Sequence, residues 1–159
     1  MIRKATAKDF EFIYELYMHP QINPYLLYEP MDTLAFLPIF EELVSKQVLF
    51  VYEHEMKQMG MCKLVPQQHR NAHIIYLGGV GIHVSQSGKG HGLKMLQEIK
   101  TYASNNNFSR IELSVATINE RAVHLYEKTG FVKEGIMKNF TYLKEEDKFL
   151  NEVLMACLL

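Results

Sequence analysis

Apolar positions along the chain fall into two periods. Phe10, Ile13, Tyr14 and Tyr17 recur at helical spacing after a polar start at Thr6–Asp9, so a helix is predicted there, with Thr6 as its cap. Pro20 and Pro24 end it and open an irregular aromatic loop over residues 20–32. A second helix is expected from about Thr33 to Lys46. The period then shortens. Val48–Tyr52 and Gln58–Val65 read as a hairpin turning at His54–Lys57, and His73–Val84 as a long strand. Glycines 78, 79 and 81 inside that strand point to a bulge or a close backbone approach.

The helical period returns with Leu93, Leu96, Ile99 and Ala103 on one expected buried face, stopping at Asn105–Asn107. Ile111, Leu113 and Val115 alternate in a further strand. Asn119 caps a helix over 120–128 with Ala122 and Leu125 inward, and Gly130 closes it. Strands from Phe131 and over Glu152–Leu159 end the chain, with a charged turn at Lys144–Lys148 between them. Helices interleaved with antiparallel and crossover strands predict a mixed α/β sheet.

With 159 residues and 48% apolar content, a single globular domain over residues 1–159 is expected. Seventeen basic against eighteen acidic residues give a net charge of −1, which provides no general attraction to nucleic acid or to an anionic membrane. No apolar run approaches the ~20 residues of a membrane span. Met1–Lys4 leads into a polar segment without an apolar stretch, and Cys62 and Cys157 fit reduced core cysteines. A cytoplasmic protein follows as the expectation. His69 and His73 lie in a loop, and no metal site is expected.

The chemistry concentrates at Ser87-Gly88-Lys89-Gly90-His91-Gly92-Leu93. Three glycines at a helix start are costly, at about 1 kcal/mol each in a helix interior. Bare backbone there lets a phosphate reach the unpaired N–H groups, and Lys89 adds a charge. The spacing fails the GxxxxGK[ST] phosphate loop and misses the GxGxxG dinucleotide fingerprint, so a flexible loop stays open as the alternative.

The strand Gly79–Val84, the turn with Gly90 and Gly92, and the segment Asn119-x-x-Ala122-x-x-Leu125-Tyr126-x-x-x-Gly130-Phe131 together resemble the GNAT N-acetyltransferase superfamily. Ile2–Thr6 with Asp9 is also similar to the start of that family. Ser87 departs from it, standing where an Arg or Gln is usual, with Gln86 one residue early.

The resemblance implies a mostly antiparallel sheet splayed at its fourth strand and flanked by about four helices. It implies acetyl-CoA as co-substrate. Backbone of Val80, Gly81 and Ile82 would meet pantetheine, and residues 88–93 (Gly88, Lys89, Gly90, His91, Gly92, Leu93) the pyrophosphate. Asn119 would touch the cofactor arm as well as cap its helix. Tyr126 would be the general acid returning a proton to the thiolate, ordinary core packing being its alternative. The base stays open between His83, Glu112 and a water relay. Ser114 stands where ribosomal-protein acetyltransferases of the superfamily carry Glu.

Tyr25 and Tyr28 are candidates for the acceptor pocket. The function so implied is acetyl transfer from acetyl-CoA to a primary amine of a small molecule or peptide, with a non-catalytic acyl-CoA-binding domain as the alternative. A homodimer is compatible with either.

Overall fold

A computed structural model describes all 159 residues, Met1–Leu159. The order is β1 (Ile2–Lys4), α1 (Phe10–Met18), α2 (Thr33–Ser45), β2 (Leu49–His54), β3 (Lys57–Pro66), β4 (Ile74–Ile82), α3 (His91–Asn105), β5 (Arg110–Ala116), α4 (Glu120–Lys128), β6 (Val132–Leu143) and β7 (Lys148–Leu158). Short 3-10 turns punctuate it. The seven strands form one sheet in the order β1-β2-β3-β4-β5-β7-β6. Every pairing is antiparallel except β4 with β5. This is the mixed α/β architecture expected, with four α-helices, and no helix is long and apolar enough to cross a membrane.

Apolar side chains cover both faces of the sheet. On one face Ile13, Leu16 and Tyr17 of α1 and Phe36 and Phe40 of α2 pack on Leu49, Val51 and Met61. On the other, Met95, Leu96, Ile99 and Ala103 of α3 and Val123 and Tyr126 of α4 pack on Cys62, Leu64, Ile111, Leu113 and Met155. Each such fully buried side chain contributes about 1.5–3 kcal/mol. Both cysteines are free and buried, as read from the sequence.

Two inward faces differ by one position from expectation. In α3, Met95 is buried and Leu93 only half-buried, because Leu93 turns toward a groove. In α4, Val123 and Tyr126 are the buried pair, while Ala122 and Leu125 are half-buried on the same groove.

The feature that positions the site is the failed parallel ladder. β4 and β5 pair only over Ile74–Tyr76 and Arg110–Glu112. Beyond that the two strands splay, β5 staying paired with β7 and β4 with β3. Within β4, Met61 faces Gly81 and Lys63 faces Gly78, so Gly79 and Val80 stand opposite the single residue Cys62. This is a β-bulge. Gly79 takes φ +56, a left-handed conformation that glycine adopts without penalty.

Candidate active site

The splay opens a groove of about 540 Å³. One wall is Leu77–Val80 and Ile82 of β4, the other Ser114–Ala116 of β5. The turn before α3 closes one end, with Ser87, Gly88, Gly90, His91, Gly92 and Leu93. The α1–α2 loop closes the other, with Gln21, Ile22, Tyr25 and Leu26. Asn119 and Tyr126 of α4 stand along it.

The three glycines before α3 are there for two different reasons. Gly88 and Gly90 have φ 77 and 81 with open space where a Cβ would stand, so backbone conformation requires them. Gly92 is crowded instead: a Cβ there would lie 2.9 Å from Leu125 Cδ2, so it lets α3 lie close to α4. Gly90 is the N-cap of α3, and the first N–H groups of that helix, lacking intrahelical acceptors, sit at the groove with the positive end of the helix dipole. The glycine turn therefore leaves unpaired N–H groups and the positive end of α3 facing the groove. Gln86 also lines the groove beside Ser87.

His91 is buried, and its Nδ1 has no partner. Burial, helped by His54, Lys94 and Lys89, lowers its pKa, so it is neutral at neutral pH. Lys89 lies outside the groove wall, its Nζ 3.3 Å from Gln86 Oε1. Gly81 also stands off the wall, against Ile22 and Met61.

Asn119 caps α4 by accepting from the Ala122 N–H at 3.3 Å while lining the groove. Tyr126 is 6% exposed and packs edge-on against Phe131 at 5.6 Å. It lines the groove, and its hydroxyl has no hydrogen-bond partner within the chain. Burial, with a smaller effect of Tyr76, raises its pKa, which keeps the phenol protonated.

The two candidate bases lie elsewhere. His83 is bonded to Glu15 at 2.9 Å and Ser85 at 2.8 Å and stacks on Phe12, in a separate polar cavity with Arg3, Asp9 and Glu53. Glu112 is held by Arg110 and Gln67, each at 3.2 Å, outside the groove wall. Ser114 does line the groove. Tyr25 lines the groove and Tyr28 does not; Tyr28 packs behind it against Tyr17 at 5.3 Å.

Sequence reasoning missed the outer stripe of α4, Arg121, His124 and Lys128. Their i, i+3, i+7 spacing was a usable signal, since it places three basic residues on the face that the apolar residues leave free.

Known proteins share this fold. A family model described as the acetyltransferase (GNAT) family matches residues 10–131. Spermidine N(1)-acetyltransferase of Vibrio cholerae serotype O1 is 31% identical over 144 residues, covering 84% of this chain and 79% of that protein. The crystal structure of spermidine N-acetyltransferase from Vibrio cholerae in complex with CoA and spermine superposes with a TM-score of 0.85, at 23% identity over 99% of this chain and 94% of that one. A phosphinothricin acetyltransferase from Sinorhizobium meliloti in complex with acetyl-CoA superposes with a TM-score of 0.79, at 19% identity over 100% of this chain and 88% of that one. These two structures share the fold while their named acceptors differ. With a family match over most of its length and a 31% identical relative carrying that activity, the chain belongs to the GNAT acetyltransferase family and is an acyltransferase.

Proposed function

We propose that residues 1–159 act as one N-acetyltransferase domain that moves an acetyl group directly from acetyl-CoA to a primary amine of a small molecule or peptide. The observation that carries this is the groove itself. It runs from a helix N-terminus bared by glycines, past a bulged strand edge, to Tyr126. That sequence of surfaces suits a diphosphate, an extended amide arm and a thioester in turn. The CoA and acetyl-CoA bound by the superposed relatives support the same reading.

In this reading, backbone N–H groups of the α3 turn hold the pyrophosphate and Asn119 meets the arm. The Gly79–Val80 bulge offers backbone N–H to the thioester carbonyl, where negative charge develops. The amine nitrogen bonds to the carbonyl carbon, and the carbon–sulfur bond breaks. Tyr126 gives its proton to the departing thiolate, and solvent reprotonates the phenolate. The desolvation that raises Tyr126 raises the thiolate's proton affinity too, so the two stay matched. Since His83 and Glu112 are engaged outside the groove, the proton of the amine leaves to water.

Thermal unfolding with acetyl-CoA, ATP and NAD tests the co-substrate. Acetyl-CoA at a hundred times its Kd stabilises by about 2.7 kcal/mol, and the other two do nothing. Stabilisation by ATP or NAD but not by acetyl-CoA contradicts the assignment.

A further inference from the structure

Helix α4 meets the groove with two chemically different faces. Its inner face carries Tyr126, buried. Its outer face carries Arg121, His124 and Lys128, which are exposed and all line the groove. None of the three is ion-paired. The carboxylates of α4, Glu120 and Glu127, stand off the groove, and Glu127 is engaged by Lys133 at 3.0 Å. No Asp or Glu from another element lines the groove either. A helix face that serves only to be solvated mixes both signs of charge. This one gathers uncompensated positive charge on the side that borders the groove, where it favours an anion.

The stripe has a fixed place relative to α3. Leu125 meets the first turn of that helix: a Cβ on Gly92 would lie 2.9 Å from its Cδ2. Arg121 precedes Leu125 by one helical turn and Lys128 follows it by nearly one, so their Cβ atoms stand about 5–6 Å from that of Leu125, one to each side. The two longest cationic side chains of α4 thus flank the point where it touches the glycine turn.

In the acetyl-transfer reading, the pyrophosphate lies on the N–H groups of that turn and the pantetheine arm runs inward to Tyr126. The adenosine then leaves the other way, past the outer face of α4. Its ribose bears a further phosphate on the 3′ oxygen, one sugar removed from the pyrophosphate. A phosphate monoester carries about −1.5 to −2 charges at pH 7, and Arg and Lys are its natural partners.

We propose that Arg121 and Lys128, with His124 between them, bind the ribose 3′-phosphate of the co-substrate. The inference rests on the acetyl-transfer reading and adds a donor specificity to it. The chain selects thioesters of full CoA over those of dephospho-CoA or of a bare phosphopantetheine arm. Helix α4 then serves both ends of the donor, its inner face the departing thiolate and its outer face the nucleotide.

The test compares acetyl-CoA with acetyl-dephospho-CoA by thiol release and by isothermal titration. For the wild type, loss of the 3′-phosphate raises KM by at least about tenfold and leaves kcat in place, because the contact is equally strong in ground and transition states. The gap narrows as salt rises. Adenosine 3′,5′-bisphosphate competes with acetyl-CoA, and adenosine 5′-monophosphate competes at least about tenfold more weakly. Arg121→Ala with Lys128→Ala brings the KM values of the two donors together, while the melting temperature of the free protein holds, both side chains being exposed. Arg121→Lys keeps part of the discrimination, and Arg121→Glu with Lys128→Glu reverses it.

Equal KM values for the two donors in the wild type overturn the inference, as does a ratio that the double alanine variant leaves unchanged. Failure of either donor to bind would instead overturn the acetyl-transfer reading beneath it.

Discussion

Asp9 ties the N-terminus to the sheet. Arg3 donates to its two carboxylate oxygens at 2.9 and 2.8 Å, Gln58 Nε2 at 2.7 Å and the Thr6 N–H at 2.7 Å. Burial pushes its pKa up, but the bonds from Arg3 and Thr6 outweigh that and bring it from 3.8 to about 2. The folded value lies below the unfolded one. The stabilisation is therefore complete above about pH 4 and is lost as pH falls through 2, amounting to about 2 kcal/mol. Urea midpoints taken from pH 5 down to pH 2 should fall more steeply for the wild type than for Asp9→Asn; parallel curves would contradict this account. The same local chemistry was partly legible in Thr6 and Asp9, which read as a helix start. What the residues alone did not disclose is that Arg3 and Gln58, from two other elements, complete the cage.

Elements with strong end signals were read almost to the residue. α4 begins after Asn119 and stops before Gly130, whose φ is 93, because a side-chain cap and a left-handed stop act locally. The glycine run in β4 correctly announced a bulge. Its purpose was not local: Gly79 must take φ +56 and also leave room for the Tyr17 hydroxyl. Gly79→Ala should therefore cost at least about 2 kcal/mol by urea denaturation, from left-handed strain and overpacking together. Gly135→Ala, with nothing within 4 Å and no positive φ, should change stability by less than about 1 kcal/mol. A mild Gly79→Ala would show that the bulge is not pinned by Tyr17.

At the scale of the whole molecule, the groove exists because β4 and β5 part after three paired residues. No stretch of sequence encodes that parting alone. It follows from β4 following β3 around a bulge while β5 stays with β7, which is why the glycine turn and Tyr126 could be named from motifs while the walls between them could not. It also explains the fate of the base candidates. Glu112 lies on the expected strand, whereas β4 ends at Ile82 and His83 caps the 3-10 turn that follows it; neither lines the groove, and each is engaged by neighbours.

The central claim, direct acetyl transfer in this groove with Tyr126 as the acid, is tested most directly by carbonyl-labelled acetyl-CoA and a mixture of amino acids and amines. Followed by mass spectrometry, the label should appear on the amine nitrogen of an acceptor in step with thiol release. Tyr126→Phe should slow that appearance about a hundredfold or more while binding acetyl-CoA as well as the wild type does. Label retained on the protein after the acceptor is consumed, or unchanged turnover in Tyr126→Phe, would contradict it.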